Sequence, residues 1–275
     1  MIPFDVEYIQ ASSLEDAVAA WAETKEQGKS ARYFGGGTEL VTAARDGKLT
    51  FNRLIDVKRV PELARCDPEH GALGAATRLT TVREQTALPL LARCAGGIAD
   101  RTVRNSITLG GNLLSMLPYR ETALPLLLFD ATLELYGPNG HRTVAASEIY
   151  NKRFVLASGE LLVAVHLAEP APTYYERITK DARVDYPLAT VALALVEGSV
   201  RVAFTGACGY PVRSDAAEAA VNEGSGSAAE RAGEAVAAVT DRFWEDIRGG
   251  AEYRKARLVG AIARGLVALE DAEHE

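Results

Sequence analysis

Val103-Arg104-Asn105-Ser106-Ile107-Thr108-Leu109-Gly110-Gly111-Asn112-Leu113 is the stretch on which the reading of this chain turns. Polar side chains at Asn105, Ser106, Thr108 and Asn112 surround a glycine pair. Glycine permits backbone angles that a Cβ forbids and lets a ligand approach the main chain closely. Serine, threonine and asparagine add neutral donors suited to a sugar or a flavin ring. Taken alone, the same residues also describe a buried polar turn that satisfies its own backbone. About 70 residues earlier stands Phe34-Gly35-Gly36-Gly37-Thr38-Glu39-Leu40, between a predicted strand and a predicted helix. Three consecutive glycines let main-chain N–H groups converge on an anion, Thr38 adds a hydroxyl, and the helix start adds its dipole. A tight strand-to-helix turn without a ligand is the plainer reading of this second stretch. Two glycine loops together suit a long ligand with a diphosphate, each loop serving one side. Neither matches GxGxxG followed by a ribose-binding acid, nor GxxxxGK[ST], so a Rossmann fold and a P-loop are poorly supported.

Working outward, the N-terminal part reads as strand, helix, strand. Phe4 to Ile9 is extended, Ser12 or Ser13 caps a helix, and Leu14, Ala17, Val18 and Trp21 recur at helical spacing. Ala31 to Phe34 makes a short strand into the first loop, and Arg53 to Val57 closes the unit after a second helix. GALGAAT, Gly71 to Thr77, is small and turning, and it leads through Thr80 into a helix predicted to reach about Cys94. Thr132 to Tyr136 and Arg142 to Val144 flank Gly137-Pro138-Asn139-Gly140 as a β-hairpin, and Leu161 to Leu167 is a further strand. Pro170-Ala171-Pro172 marks the predicted domain boundary. Strand-like segments follow, with Val200 to Thr205 among them. A helical tail from Ala228 to Leu269 comes after the surface loop Asn222 to Ser227. Its charged residues Glu252, Tyr253, Arg254 and Arg257 read as a solvated face.

The chain has 275 residues, 48% of them hydrophobic and 24% charged, which suits a globular protein of one large or a few small domains. Its net charge of -7 opposes nucleic acid and anionic membranes. No stretch approaches the roughly 20 apolar residues of a membrane span, since Leu124 to Phe129 and Leu188 to Val196 are too short. The N-terminus carries acids where a signal peptide needs basic residues, which predicts a cytoplasmic protein. Cys66, Cys94 and Cys208 are too few for a four-thiolate iron–sulfur cluster and lack metal-ligand spacing. His70, His141, His166 and His274 are scattered, so no metal site is predicted on this chain.

Three motifs together, GGGTEL (Gly35 to Leu40), GALGAAT and VRNSITLGGNL (Val103 to Leu113), resemble the FAD-binding subunits of molybdenum hydroxylases. That family includes the medium subunits of carbon monoxide dehydrogenase, xanthine dehydrogenase and nicotinate dehydrogenase. The likeness continues in order through PLLLFDATLEL (Pro125 to Leu135), SGELLVAVHL (Ser158 to Leu167), DYPLATVALAL (Asp185 to Leu195) and GGAEYRKARL (Gly249 to Leu258). The RN-x-x-T-x-GGN core is the family-specific part.

The resemblance implies an α+β chain. A two-part FAD-binding domain of the vanillyl-alcohol-oxidase type spans residues 1–170, in subdomains 1–57 and 58–170, and an α+β C-terminal domain spans 173–275. It implies non-covalent FAD with its diphosphate on Gly35, Gly36, Gly37 and Thr38, with Glu39 beside them, and on Thr108, Gly110 and Gly111, followed by Asn112. The family's Ser-Pro-x-x-Asp has its counterpart in Leu117-Pro118-Tyr119-Arg120-Glu121, where Glu121 stands for the ribose-binding Asp, and Arg120 offers it an alternative partner. Lys180 falls at the family's lysine near the flavin edge, and Asp185-Tyr186 at the pair beside the ring. A cation there stabilises anionic reduced flavin. No side chain of this chain is implied as catalytic, because the flavin carries the chemistry. The complex implied is a heterotrimer with electron transfer from a molybdenum-binding large subunit through an iron–sulfur subunit to FAD, and on to NAD or another acceptor. The competing readings are a free-standing flavin oxidoreductase of related fold and a scaffold subunit that has lost FAD.

Overall fold

The computed structural model describes every residue except 1, 68, 69, 86, 182, 183, 274 and 275, so His274 lies outside the described residues. Along the chain come β1 (Glu7–Gln10), α1 (Leu14–Glu26), β2 (Ala31–Phe34), α2 (Thr38–Arg45) and β3 (Arg53–Asp56). Next are α3 (Pro61–Ala64), β4 (Cys66–Asp67), β5 (Ala72–Gly74), α4 (Leu79–Gln85), α5 (Pro89–Gly97), α6 (Arg101–Arg104) and α7 (Leu109–Leu113). The middle holds α8 (Ala123–Leu128), β6 (Thr132–Gly137), β7 (Gly140–Ala145) and β8 (Leu161–His166). The last third holds β9 (Thr173–Thr179), β10 (Pro187–Val196), β11 (Ser199–Thr205), β12 (Val212–Arg213), α9 (Asp215–Glu223), α10 (Ala228–Ala238) and α11 (Ala251–Glu273).

These elements form two compact units that interleave in sequence. The first is 1–87, 101–115 and 131–167; the second is 88–100, 116–130 and 168–275. The reason is local: apolar side chains of α5 and α8, Leu90, Cys94, Leu124 and Leu128, are buried with Ala192, Ala194 and Ala203 of β10 and β11.

In the first unit β1, β3 and β2 form a parallel sheet in that order. Ser13 caps α1 by accepting the Asp16 N–H at 3.0 Å, and Leu14, Ala17 and Val18 are its buried face. A five-stranded antiparallel sheet follows, in the order β4-β5-β8-β6-β7. The hairpin forms where expected: Gly137 pairs with Gly140 across Pro138-Asn139, with Gly140 at φ +87°. The second unit is built on an antiparallel sheet in the order β12-β11-β10-β9. The C-terminal helices cover it, with Leu258, Ile262 and Leu266 of α11 in the same core as Leu188, Val191, Leu193 and Phe204. The chain is α+β.

Three expectations change. The helix predicted from Thr80 to Cys94 is two helices, because Pro89, which has no N–H to donate, opens a new one at its first turn. The tail helix is interrupted between Ala238 and Ala251, where Phe243 bridges to Cys208 and Asp246 pairs with Gly249. Arg254, read as part of a solvated face, is 0% exposed. Its guanidinium donates to the carbonyls of Leu188 (2.6 Å) and Gly206 (3.0 Å) and to Asp246 Oδ1 (2.6 Å), so a buried charge has a full set of acceptors. No helix among the described residues is long and apolar enough to cross a membrane.

Candidate functional site

The first glycine loop sits between the end of β2 and the start of α2, and the second runs from the end of α6 into α7. The first unit brings them into direct contact. A Cβ on Gly36 would lie 1.9 Å from the Ser106 carbonyl oxygen, and one on Gly35 would lie 2.9 Å from Thr108 Oγ1. Gly37, at φ +70°, begins α2 in a left-handed conformation, and a Cβ there would strike the Phe34 ring. At Gly36 only glycine lets the two loops meet, because the obstacle is the backbone of the second loop.

GALGAAT turns out to be the frame of the second loop. The N–H of Gly110 donates to Ala75 O (2.8 Å), that of Leu109 to Thr77 O (2.8 Å), and that of Leu79 to Ile107 O (2.9 Å). Arg78 and Thr108 form an isolated antiparallel bridge at the same place. Thr80 donates its hydroxyl to Asn105 Oδ1 at 2.7 Å. The Gly111 N–H is taken by Thr108 Oγ1 at 3.1 Å.

The two loops therefore offer different things to a ligand. Gly110 and Gly111 use their N–H groups internally, whereas those of Gly36 and Gly37 meet no acceptor among the described residues. Beside them lies a cleft of about 570 Å³ whose walls include Gly35 and Gly36. Thr77, Thr81, Asn105, Ser106 and Thr108 supply hydroxyl and amide groups to the walls, Lys58 and Arg78 supply cations, and no carboxylate among the described residues lines it. Cys66 also lines the cleft, and burial, helped by Asp67, raises its thiol pKa. Free N–H donors at a helix start, hydroxyls, cations and no acids fit the phosphate and sugar groups of a dinucleotide such as FAD.

Thr38 is exposed at the head of α2, and half-buried Glu39 accepts the Ser115 hydroxyl at 2.5 Å. Asn112 is buried next to the second loop. Thus Gly35, Gly36, Gly37, Thr38, Glu39, Thr108, Gly110, Gly111 and Asn112 all belong to the first unit. Lys58, Thr77, Arg78 and Thr81 were not singled out from the sequence. Lys58, Arg78 and Thr81 lie outside the quoted motifs, Thr77 closes GALGAAT, and they reach the cleft from the end of β3, the Arg78–Thr108 bridge and the first turn of α4.

Glu121, Lys180, Asp185 and Tyr186 belong to the second unit. Glu121, at 1% exposure, accepts from Arg177 Nε and Thr190 Oγ1, both at 2.8 Å on the same oxygen. Burial pushes its carboxyl upward against the pull of Arg177. It forms an internal ion pair with Arg177. Arg177 also donates to the Asp185 carbonyl at 2.7 Å, and Arg248 donates to Asp185 Oδ1 at 3.2 Å. Tyr186 stacks on Tyr119 with ring centroids 4.6 Å apart and lies 5.3 Å from the Arg248 guanidinium. The exposed Lys180 donates to the Ile247 carbonyl at 3.0 Å.

Comparison with known proteins agrees with this chemistry. Residues 4–170 match the family described as the FAD binding domain in molybdopterin dehydrogenase. The carbon monoxide dehydrogenase medium chain of Hydrogenophaga pseudoflava is 28% identical over 97% of each chain. The xanthine dehydrogenase FAD-binding subunit of Escherichia coli O157:H7 is 28% identical over 77% of each. A solved structure of carbon monoxide dehydrogenase from Hydrogenophaga pseudoflava, which lacks the Mo-pyranopterin moiety, superposes with a TM-score of 0.84 at 29% identity, over 98% of this chain and 99% of that one. This chain belongs to the FAD-binding family of molybdopterin dehydrogenases, as an FAD-binding medium subunit of a molybdenum hydroxylase-type oxidoreductase.

Proposed function

We propose that this chain binds one FAD non-covalently and relays electrons within a three-subunit complex. Electrons arrive from an iron–sulfur subunit served by a molybdenum-binding large subunit, and leave to NAD⁺ or another acceptor. The observation that carries the reading is the Gly36 and Gly37 N–H pair, unpartnered among the described residues, beside a cleft that those residues line with hydroxyls and cations and no carboxylate. Bound FAD supplies the redox chemistry, and the protein supplies binding, orientation and electrostatics. Gly36 and Gly37 would hold the diphosphate with their N–H groups. Thr108, Ser106 and Asn105 offer further donors, and the Gly110 and Gly111 backbone sets the position of Thr108. Glu39 is held by Ser115 at the edge of the first loop.

Lys180, Asp185 and Tyr186 are proposed, on the family resemblance, as the residues that tune the flavin and control access to it. Glu121 acts here through Arg177, which grips the backbone carbonyl just before Tyr186. A ribose contact by Glu121 would use its other carboxylate oxygen, because Oε1 already serves two donors. Three free cysteines suit a reducing, cytoplasmic setting.

Expression of the chain with the products of neighbouring genes tests the reading. A flavin absorbance spectrum on the purified chain, and isolation with two further subunits carrying iron–sulfur and molybdenum signals, is the expected result. A colourless chain that takes up no added FAD would sink it.

A further inference from the structure

We propose that Arg78, with Lys58 as its weaker neighbour, supplies the positive charge that holds the cofactor's diphosphate in the cleft of the first unit. This rests on the FAD-binding reading above. The backbone of Arg78 is bridged to Thr108, so its Cα is fixed at the second glycine loop. Its side chain is exposed, lines the cleft, and takes part in no ion pair among the described residues. Lys58 lines the same cleft, but its ammonium already binds Asp56 Oδ2 at 2.6 Å and lies 4.1 Å from the Phe34 ring. Its charge is shared; that of Arg78 is not. A guanidinium presents a planar fork of donors that matches two phosphate oxygens, which an ammonium cannot do. The chain carries a net charge of -7, so a dianionic ligand meets a repulsive long-range field. Two cations in a wall whose described residues include no carboxylate offset that field at the cleft.

Cys66 gives a readout independent of electron transfer. It lines the cleft and is half-buried, whereas Cys94 and Cys208 are buried. Alkylation of the full-length apoprotein by iodoacetamide therefore reports at Cys66, and Cys66→Ser identifies that signal. FAD, ADP and inorganic diphosphate are expected to slow the labelling, riboflavin to leave it unchanged, and added salt to weaken protection by ADP. Arg78→Gln should raise the ADP concentration for half-protection by roughly tenfold, as loss of a charge-assisted phosphate contact does. Arg78→Lys should fall between, and Lys58→Gln should have a smaller effect than Arg78→Gln. Arg78 is exposed, so folding of the variants is checked by circular dichroism against the parent. If ADP protects Arg78→Gln and the parent equally, or riboflavin protects as well as ADP, the role of Arg78 is overturned while FAD binding stands. If FAD binds by fluorescence titration yet leaves Cys66 equally reactive, the diphosphate lies elsewhere and the inference falls alone. If FAD does not bind at all, the functional reading falls with it.

Discussion

Gly36 and Gly111 differ in what a side chain would meet, and that difference predicts two phenotypes. At Gly36 a Cβ collides with a backbone carbonyl at 1.9 Å, which cannot turn away. At Gly111 it meets only the Thr108 hydroxyl, at 2.8 Å. Gly111→Val should therefore fold with a urea midpoint close to the parent's and lose FAD binding, because Thr108 is displaced and the loop loses its close approach. Gly36→Ala should lose both stability and FAD, since the loops are forced apart. Parallel urea titrations and FAD fluorescence titrations check this pair; parental FAD affinity in Gly111→Val rejects the cradle. Tyr186 makes a third case. It is 46% exposed and held by stacking on Tyr119, a contact of about 1 kcal/mol. If Tyr186 gates nicotinamide access, Tyr186→Ala should raise the rate of flavin reduction by NADH, normalised to bound FAD in stopped-flow. An unchanged or slower rate rejects the gate. The glycine loops were legible because glycine announces itself in sequence. Arg78 and Lys58 were not, because each becomes a wall of the cleft only through pairing with residues distant in the chain.

At the scale of elements, single charged side chains hold strands and helices in place. Arg254 of α11 donates to the carbonyl of Leu188, near the start of β10, to that of Gly206, just after β11, and to Asp246. Replacing it leaves those carbonyls buried without their donor, while Asp246 keeps Arg248 and two backbone N–H groups, so Arg254→Met should destabilise by about 2–4 kcal/mol, and Arg254→Lys should recover only part of this. Urea unfolding followed by circular dichroism measures it. In the first unit Asp56 ends β3, accepts the Tyr8 hydroxyl of β1 at 2.5 Å and binds Lys58. Burial raises its carboxyl, but the bonds from Lys58 and Tyr8 outweigh it and the pKa is lowered. A lowered folded-state pKa contributes stability that is present above the ordinary aspartate value of about 3.9 and lost as pH falls through the folded value. The stability gap between the parent and Asp56→Asn should thus be widest near neutrality and shrink below about pH 4. A gap that does not change with pH rejects the ion-pair account. The hairpin and the strands β2 and β11 were visible in the sequence through turn residues and apolar runs. The break before Pro89 was hidden because apolar spacing continued across it. Arg254 was hidden because a buried arginine looks the same in sequence as a solvated one.

For the molecule as a whole, the two glycine loops carry no cysteine or histidine, and the thiol of Cys66 on the cleft wall has a raised pKa, which disfavours covalent attachment of a flavin. Denaturation should release all the flavin to the supernatant, and colour retained by the precipitate would point to attachment at Cys66. The family, its cofactor and the α+β class could be read from ordered motifs along nearly the whole chain. The interleaving of the two units could not, because it depends on which distant sheet face buries Leu90, Cys94, Leu124 and Leu128. That arrangement also has a consequence in time, during synthesis. Helices α5 and α8 leave the ribosome well before Ala192, Ala194 and Ala203, the residues that cover them. At about 5–20 residues per second the nascent chain holds those apolar faces bare for several seconds. Nascent chains stalled far enough past Asp130 to expose α8, but before β10 emerges, should bind hydrophobic-surface chaperones, and chains stalled far enough past Thr205 to expose β11 should release them.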